Sequence, residues 1–223
     1  MYCMNKNRKI AFLEILLFII IVVLNGINIL PISSTIYLLV LVWITMKIQK
    51  ETREKIGLTI GRRSLVQSIL VGIFLGIILE LFATYFTTPL LSQFFGVQPN
   101  LSEFQMVKGN FLLLLFFLFI SWALAAFGEE ICYRGFLMNR VAILFGQNKL
   151  AWALSLIFSC VLFGWGHTEQ GITGWIQEGL NGFFLGIIFF ASGKNLAIPI
   201  VTHGVSNTLA FVLIYLGKYP GIF

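Results

Sequence analysis

The chain has 223 residues, 58% of them hydrophobic and only 11% charged, against about 25% charged in a soluble globular domain. This excludes a water-soluble fold and indicates an all-α, polytopic membrane bundle with room for about seven spanning helices of roughly 20 residues each. The formal charge of +6 does not point to nucleic acid, because Lys6, Arg8 and Lys9 precede the first apolar run and Lys47, Lys50, Arg53, Lys55, Arg62 and Arg63 share one loop, the positive-inside pattern of cytoplasmic segments.

In chain order, the first apolar segment runs from about Ile10 to Leu30. It is too long for a signal peptide, and Asn25 to Leu30 offers no small-residue cleavage site, so it is read as a retained helix. A second helix is predicted from about Ser34 to Met46, and a basic surface loop from Lys47 to Arg63. The third spans about Leu65 to Phe86, followed by a loop from Thr87 to Lys108 in which Pro89 and Pro99 act as breakers. The fourth starts near Phe111 and runs through an uncharged stretch into Glu129 and Glu130, continuing past Arg134 towards Arg140. Helices five, six and seven are predicted at about Leu150–His167, Ile176–Ala191 and Leu196–Leu216. The loop charges put the N-terminus in the cytoplasm and the C-terminus outside. No repeat or linker divides residues 1–223, so the chain is read as one membrane domain.

Three cysteines, Cys3, Cys132 and Cys160, show no metal or redox spacing, and no disulfide is expected. The acids are all glutamates, and the two histidines, His167 and His203, lie in apolar runs. Ionisable groups at membrane depth are costly and mark functional sites by default. Glu130 and Arg134 are four apart, with the acid first, the favoured order for a helical ion pair. Glu129 points about 100° away. It is left without a local counter-charge, the setting of a general base working near neutral pH. Phe163 and His167 share a face, so the ring can pack beneath the imidazole. His203 and Asn207 share another, offering two donors to one small volume, as an oxyanion hole requires. Gly164, Gly166 and Gly204 flank the histidines and permit close helix approach. Glu14, one turn into helix one, is read as snorkelling to the surface, Glu80 as facing the cavity or a partner helix, and Glu169 and Glu178 as solvated.

One point strains this topology. Glu129 falls roughly 16 Å from Arg140, near the middle of a hydrocarbon core about 30 Å thick, whereas His167 lies about 25 Å along its helix from Lys149. They meet only if helix five starts deeper, tilts strongly, or if Ala142 to Asn148 dips into the membrane.

EEICYR, FGWGH and HGVSN stand in this order on successive helices. This resembles the E-E-x-x-x-R, F-x-x-x-H and H-x-x-x-N motifs of the CAAX-protease and bacteriocin-processing (Abi) family of intramembrane endopeptidases. The resemblance covers about Phe111 to Leu216, which would be the catalytic helices. It implies that Glu129 activates a water, that Glu130 and Arg134 support it, that His167 helps to bind or activate the water, and that His203 and Asn207 stabilise the oxyanion. The reaction implied is hydrolysis of a peptide bond near the C-terminus of a membrane-associated protein or peptide: a prenylated C-terminus, or a pheromone or bacteriocin precursor. The bilayer is the other partner. The family leaves two schemes open. Glu129, His167 and His203 would make an open zinc site, while Asn207 and the lack of H-E-x-x-H favour a metal-independent one. Outside the protease class, a proton- or cation-coupled transporter would also place Glu, Arg and His in the membrane, and a non-proteolytic scaffold would keep the fold.

Overall fold

The computed structural model describes residues 2–59 and 65–220, with side chains from Lys6 onward. Arg62 and Arg63 of the basic loop, and the side chain of Cys3, lie outside the described residues. Among those described there is no strand. Seven helical rods carry the chain: α1 (Tyr2–Gly26), α2 (Ser34–Gln49), α3 (Leu65–Phe95), α4 (Phe111–Leu144), α5 (Lys149–Trp165), α6 (Gly171–Ala191) and α7 (Ala197–Tyr215).

Local chemistry sets several ends. Ser33, Asn110 and Asn148 cap α2, α4 and α5, each accepting a hydrogen bond from a first-turn amide. Two rods are longer than expected. Pro89 does not end α3, because the chain widens into i→i+5 winding over Ala83–Thr87 and the proline falls in the first turn beyond, where its missing N–H is tolerated. In α4 the same wide winding extends over Ser121–Leu137, far longer than the single-turn bulges that usually mark functional sites.

The expected seven crossings are not all matched by length and composition. α1, α3, α4 and α7 qualify as spans, and α5 with α6 make a fifth only as one unit bent by 60°. α2, with 16 residues, is shorter than the ~20 residues a spanning helix needs. The membrane assignment itself stands: large apolar side chains such as Phe12, Leu70, Phe74, Leu112, Phe116 and Phe119 are exposed on the rods.

Two apolar clusters hold the bundle. One joins α1, α2, α4, α5 and α6 through Phe18, Leu38, Phe136, Phe163 and Phe189. The other joins the 102–107 turn, α4 and α7 through Val107, Leu114 and Ile214. α3 and α7 pack closely because α3 presents glycine: a methyl group on Gly76 would stand 2.6 Å from the Thr202 carbonyl oxygen. Gly76→Ala is therefore expected to force α3 away from the segment of α7 that carries His203. The cost is about 1–3 kcal/mol, read as a lower thermal unfolding midpoint of the detergent-solubilised protein.

At the end of the bundle that carries the basic loop, Arg140 ties α4 to α1 and to the segment that follows α2. Its Nε lies 2.8 Å from Glu14 Oε2, and its Nη1 donates to Glu51 at 3.1 Å. Gln49 also donates to Glu14. Glu14 is thus buried, not snorkelling, because a buried guanidinium must have acidic partners. Burial pushes the Glu51 carboxyl up, but the hydrogen bonds and charge of Arg140, with Lys55, outweigh it and hold the group below its ordinary value. A depressed carboxylate contributes stability above its unfolded-state pKa and loses it as pH falls through the folded value. The thermal midpoint of the wild-type protein should exceed that of Glu51→Gln at neutral pH, and the gap should close in acid below the ordinary carboxylate range.

Candidate active site

The wide-wound part of α4 distributes its charged residues in two directions. Glu130 and Arg134 point into the bundle and are fully buried. Arg134 Nη1 donates to Glu130 Oε1 at 2.9 Å and Nη2 donates to the Gly182 carbonyl of α6 at 3.0 Å. The guanidinium also lies 4.5 Å from the centre of the Phe163 ring, a desolvated cation–π contact. Glu129 turns instead towards α2, where Thr35 Oγ1 donates to its Oε1 at 3.4 Å. The other oxygen, Oε2, is buried and has no protein hydrogen-bond partner among the described residues.

His203 belongs to the buried pair as well as to the oxyanion motif. Its Nδ1 lies 2.9 Å from Glu130 Oε1, so one carboxylate oxygen takes both Arg134 and His203. His167 Nδ1 lies 2.9 Å from the Phe163 carbonyl. A carbonyl only accepts, so Nδ1 carries the proton and Nε2 keeps its lone pair in the neutral ring. Asn207 donates through Nδ2 to Ser121 Oγ at 3.0 Å. Phe163 is the common floor: its ring centre is 5.1 Å from that of His167 and 6.2 Å from that of His203. The packing of Phe163 beneath His167 is as the spacing predicts. Two of the flanking glycines act as expected, since a methyl on Gly204 would strike the Trp122 ring and one on Gly164 the Trp175 carbonyl.

Glu129, His167, His203 and Asn207 line one cavity of about 560 Å³ between the two apolar clusters. The depth conflict is resolved by the length of α4. Leu144 lies 15 residues beyond Glu129, about 20 Å along the helix, which nearly matches the length of α5 from Lys149 at the same end of the bundle. α5 ends at Trp165, and His167 sits in the turn before α6 departs. Glu129, beside the first turn of α2, is therefore level with the ends of α2 and α5 remote from the basic loop, and no dip of Ala142 to Asn148 is needed.

Several lining residues escape a reading by motif. Tyr133 is buried, lines the cavity and stands edge-on to Phe163. Its spacing of four from Glu129 is the signal that could have found it. Thr35 and Ser121 carry no local signal. Glu80 faces both the cavity and a partner helix: it accepts from Thr84 at 3.0 Å and from Ser206 of α7 at 2.7 Å. Glu178 also lines the cavity and accepts from Asn181, so it is not simply a solvated loop residue.

Among the described residues no three His, Cys or Glu side chains gather as a group that could hold a metal ion. Glu129, His167 and His203 share the cavity without forming such a set, so as arranged they do not fit the ion.

No curated protein and no solved structure matches the chain. Residues 111–209 match the sequence model of a family described as type II CAAX prenyl endopeptidase Rce1-like. That stretch contains all three motifs and every residue of the buried Glu130–Arg134–His203 group. Over residues 111–209 this match supports the CAAX protease family of integral membrane endopeptidases.

Proposed function

We propose that this protein hydrolyses a peptide bond of a membrane-associated protein or peptide, with Glu129 as the general base. The observation that carries the reading is the cavity: a carboxylate with one unpartnered oxygen shares it with two histidines and an asparagine. Glu129 takes a proton from a water molecule, whose oxygen adds to the scissile carbonyl carbon. His167, with its Nδ1 proton committed to Phe163, offers Nε2 to orient that water. Asn207 and His203 are assigned to the oxyanion: Asn207 through the amide N–H not used by Ser121, and His203, whose Nδ1–H is donated to Glu130, through the Nε2–H it carries as imidazolium. Glu129 then returns the proton to the amide nitrogen, the C–N bond breaks, and a carboxylic acid and an amine leave. Arg134 and Glu130 act through His203, as positioning residues, and no step runs through a metal.

In this reading the protein is a multi-pass component of the cell membrane with a cytoplasmic N-terminus, the orientation supported by Lys6, Arg8, Lys9 and the basic loop. The candidate substrates are a prenylated C-terminus and a pheromone or bacteriocin precursor. The test compares peptide C-termini in membranes and medium of cells carrying the wild type or Glu129→Gln at matched abundance. New C-termini found only with the wild type are expected. Identical termini, with a phenotype that persists in the variant, would replace the protease by the transporter or scaffold.

A further inference from the structure

The chain's basic residues and the cavity mouth lie at opposite ends of the bundle. Lys6, Arg8, Lys9, Lys47, Lys50, Arg53, Lys55, Arg140, Lys149 and Lys194 belong to one end, at the start of α1, between α2 and α3, between α4 and α5, and between α6 and α7. Among the described residues, only Lys108 and Lys218 belong to the other. The cavity is lined from that second end: by Asn28 and Ser33 of the α1–α2 connection, Glu103 and Phe104 before α4, Glu169 in the α5–α6 turn, and Tyr219 beyond α7. Among the described residues, none of the basic end lines it, and neither lysine nor arginine is among its walls. Five of the nine glutamates are: Glu80, Glu103, Glu129, Glu169 and Glu178.

An excess of lysine and arginine in short loops marks the cytoplasmic face. We infer that the site opens to the non-cytoplasmic face, and that its substrate is a membrane-anchored peptide whose scissile bond lies in the outer half of the bilayer or just outside it. The inference rests on the endopeptidase reading for its substrate, but not for its sidedness. A bond presented at the cytoplasmic surface would meet the closed end, where Arg140, Glu14 and Glu51 lock α1, α4 and the segment that follows α2 together. A substrate arriving from outside meets carboxylates at the mouth, so acidic residues next to the scissile bond are disfavoured.

Two measurements test this. Single cysteines are placed at the mouth (Glu169→Cys) and at the basic end (Lys149→Cys), both exposed positions. They are treated with a membrane-impermeant maleimide in intact cells and in inside-out vesicles, with the unsubstituted chain as the blank for Cys3, Cys132 and Cys160. Glu169→Cys should react in intact cells and lose that reaction in inside-out vesicles, with Lys149→Cys showing the reverse. The opposite pattern would overturn the inference. In the comparison of peptide termini, wild-type-specific cuts should map to the outer ends of substrate spans, and cuts at cytoplasmic ends would overturn it. Equal termini would count against the endopeptidase reading alone, since the labelling still reports which face the cavity opens to.

Discussion

Glu129→Gln is expected to lower turnover of a cleaved peptide by about 10²–10⁴-fold, the usual contribution of a positioned general base. The substitution is close to isosteric. An amide oxygen can still accept from Thr35, so the packing of α4 against α2 is retained and the loss reports chemistry. Folding should be unaffected, because Glu129 is not a partner in the buried ion pair. The check is turnover per folded molecule in detergent or reconstituted vesicles, with thermal unfolding measured on the same samples. A variant that keeps its midpoint and loses its rate supports the assignment. A rate within a few-fold of wild type would remove Glu129 from the mechanism and turn attention to Glu80, another cavity-lining glutamate.

Arg134→Ala should act on the other side of this division. The guanidinium is 1% exposed, donates to both Glu130 and the Gly182 carbonyl, and stacks over Phe163. Removing it leaves the Glu130 carboxylate buried without its counter-charge, a change that typically costs about 3–5 kcal/mol. That is a large share of a typical stability of about 5–15 kcal/mol. The expected result is a sharp fall in folded protein in the membrane and a lower thermal midpoint. Arg134→Lys keeps the charge but loses the planar fork that serves two acceptors and the ring at once, and should fall in between. Wild-type levels of Arg134→Ala would show that the pair does not hold the fold and would move Arg134 into the chemistry.

The two predictions separate because adjacent glutamates on α4 have different surroundings, and this much was legible from spacing. Glu130 and Arg134, four apart, had to meet. Glu129 had to point elsewhere. Phe163 had to lie under His167. The first two follow from neighbours on one helix, where side-chain direction is set by the backbone itself, and the wide winding of α4 did not disturb them; the third survives although α5 ends at Trp165, because His167 Nδ1 is held by the Phe163 carbonyl. What spacing left open was contact across helices. His203 was read as a partner of Asn207, but its Nδ1 is held by Glu130. Glu14 was read as snorkelling, but it is buried against Arg140. Thr35 and Ser121 gave no sign of touching the site, because a lone hydroxyl in an apolar run reads the same whether it faces lipid or a carboxylate.

By itself the sequence determined that the protein lives in a membrane, which end of the bundle is basic, where seven helices run, and which six polar side chains carry the motifs. These rest on composition, hydrophobic run length and short-range spacing, all local along the chain. Only the tertiary structure decided the depth of the site, the tie from His203 to Glu130, and which end of the cavity is open. These depend on how far α4 runs past Glu129 and where α5 turns away, so they are set by the packing of rods against one another, and no single helix contains that information.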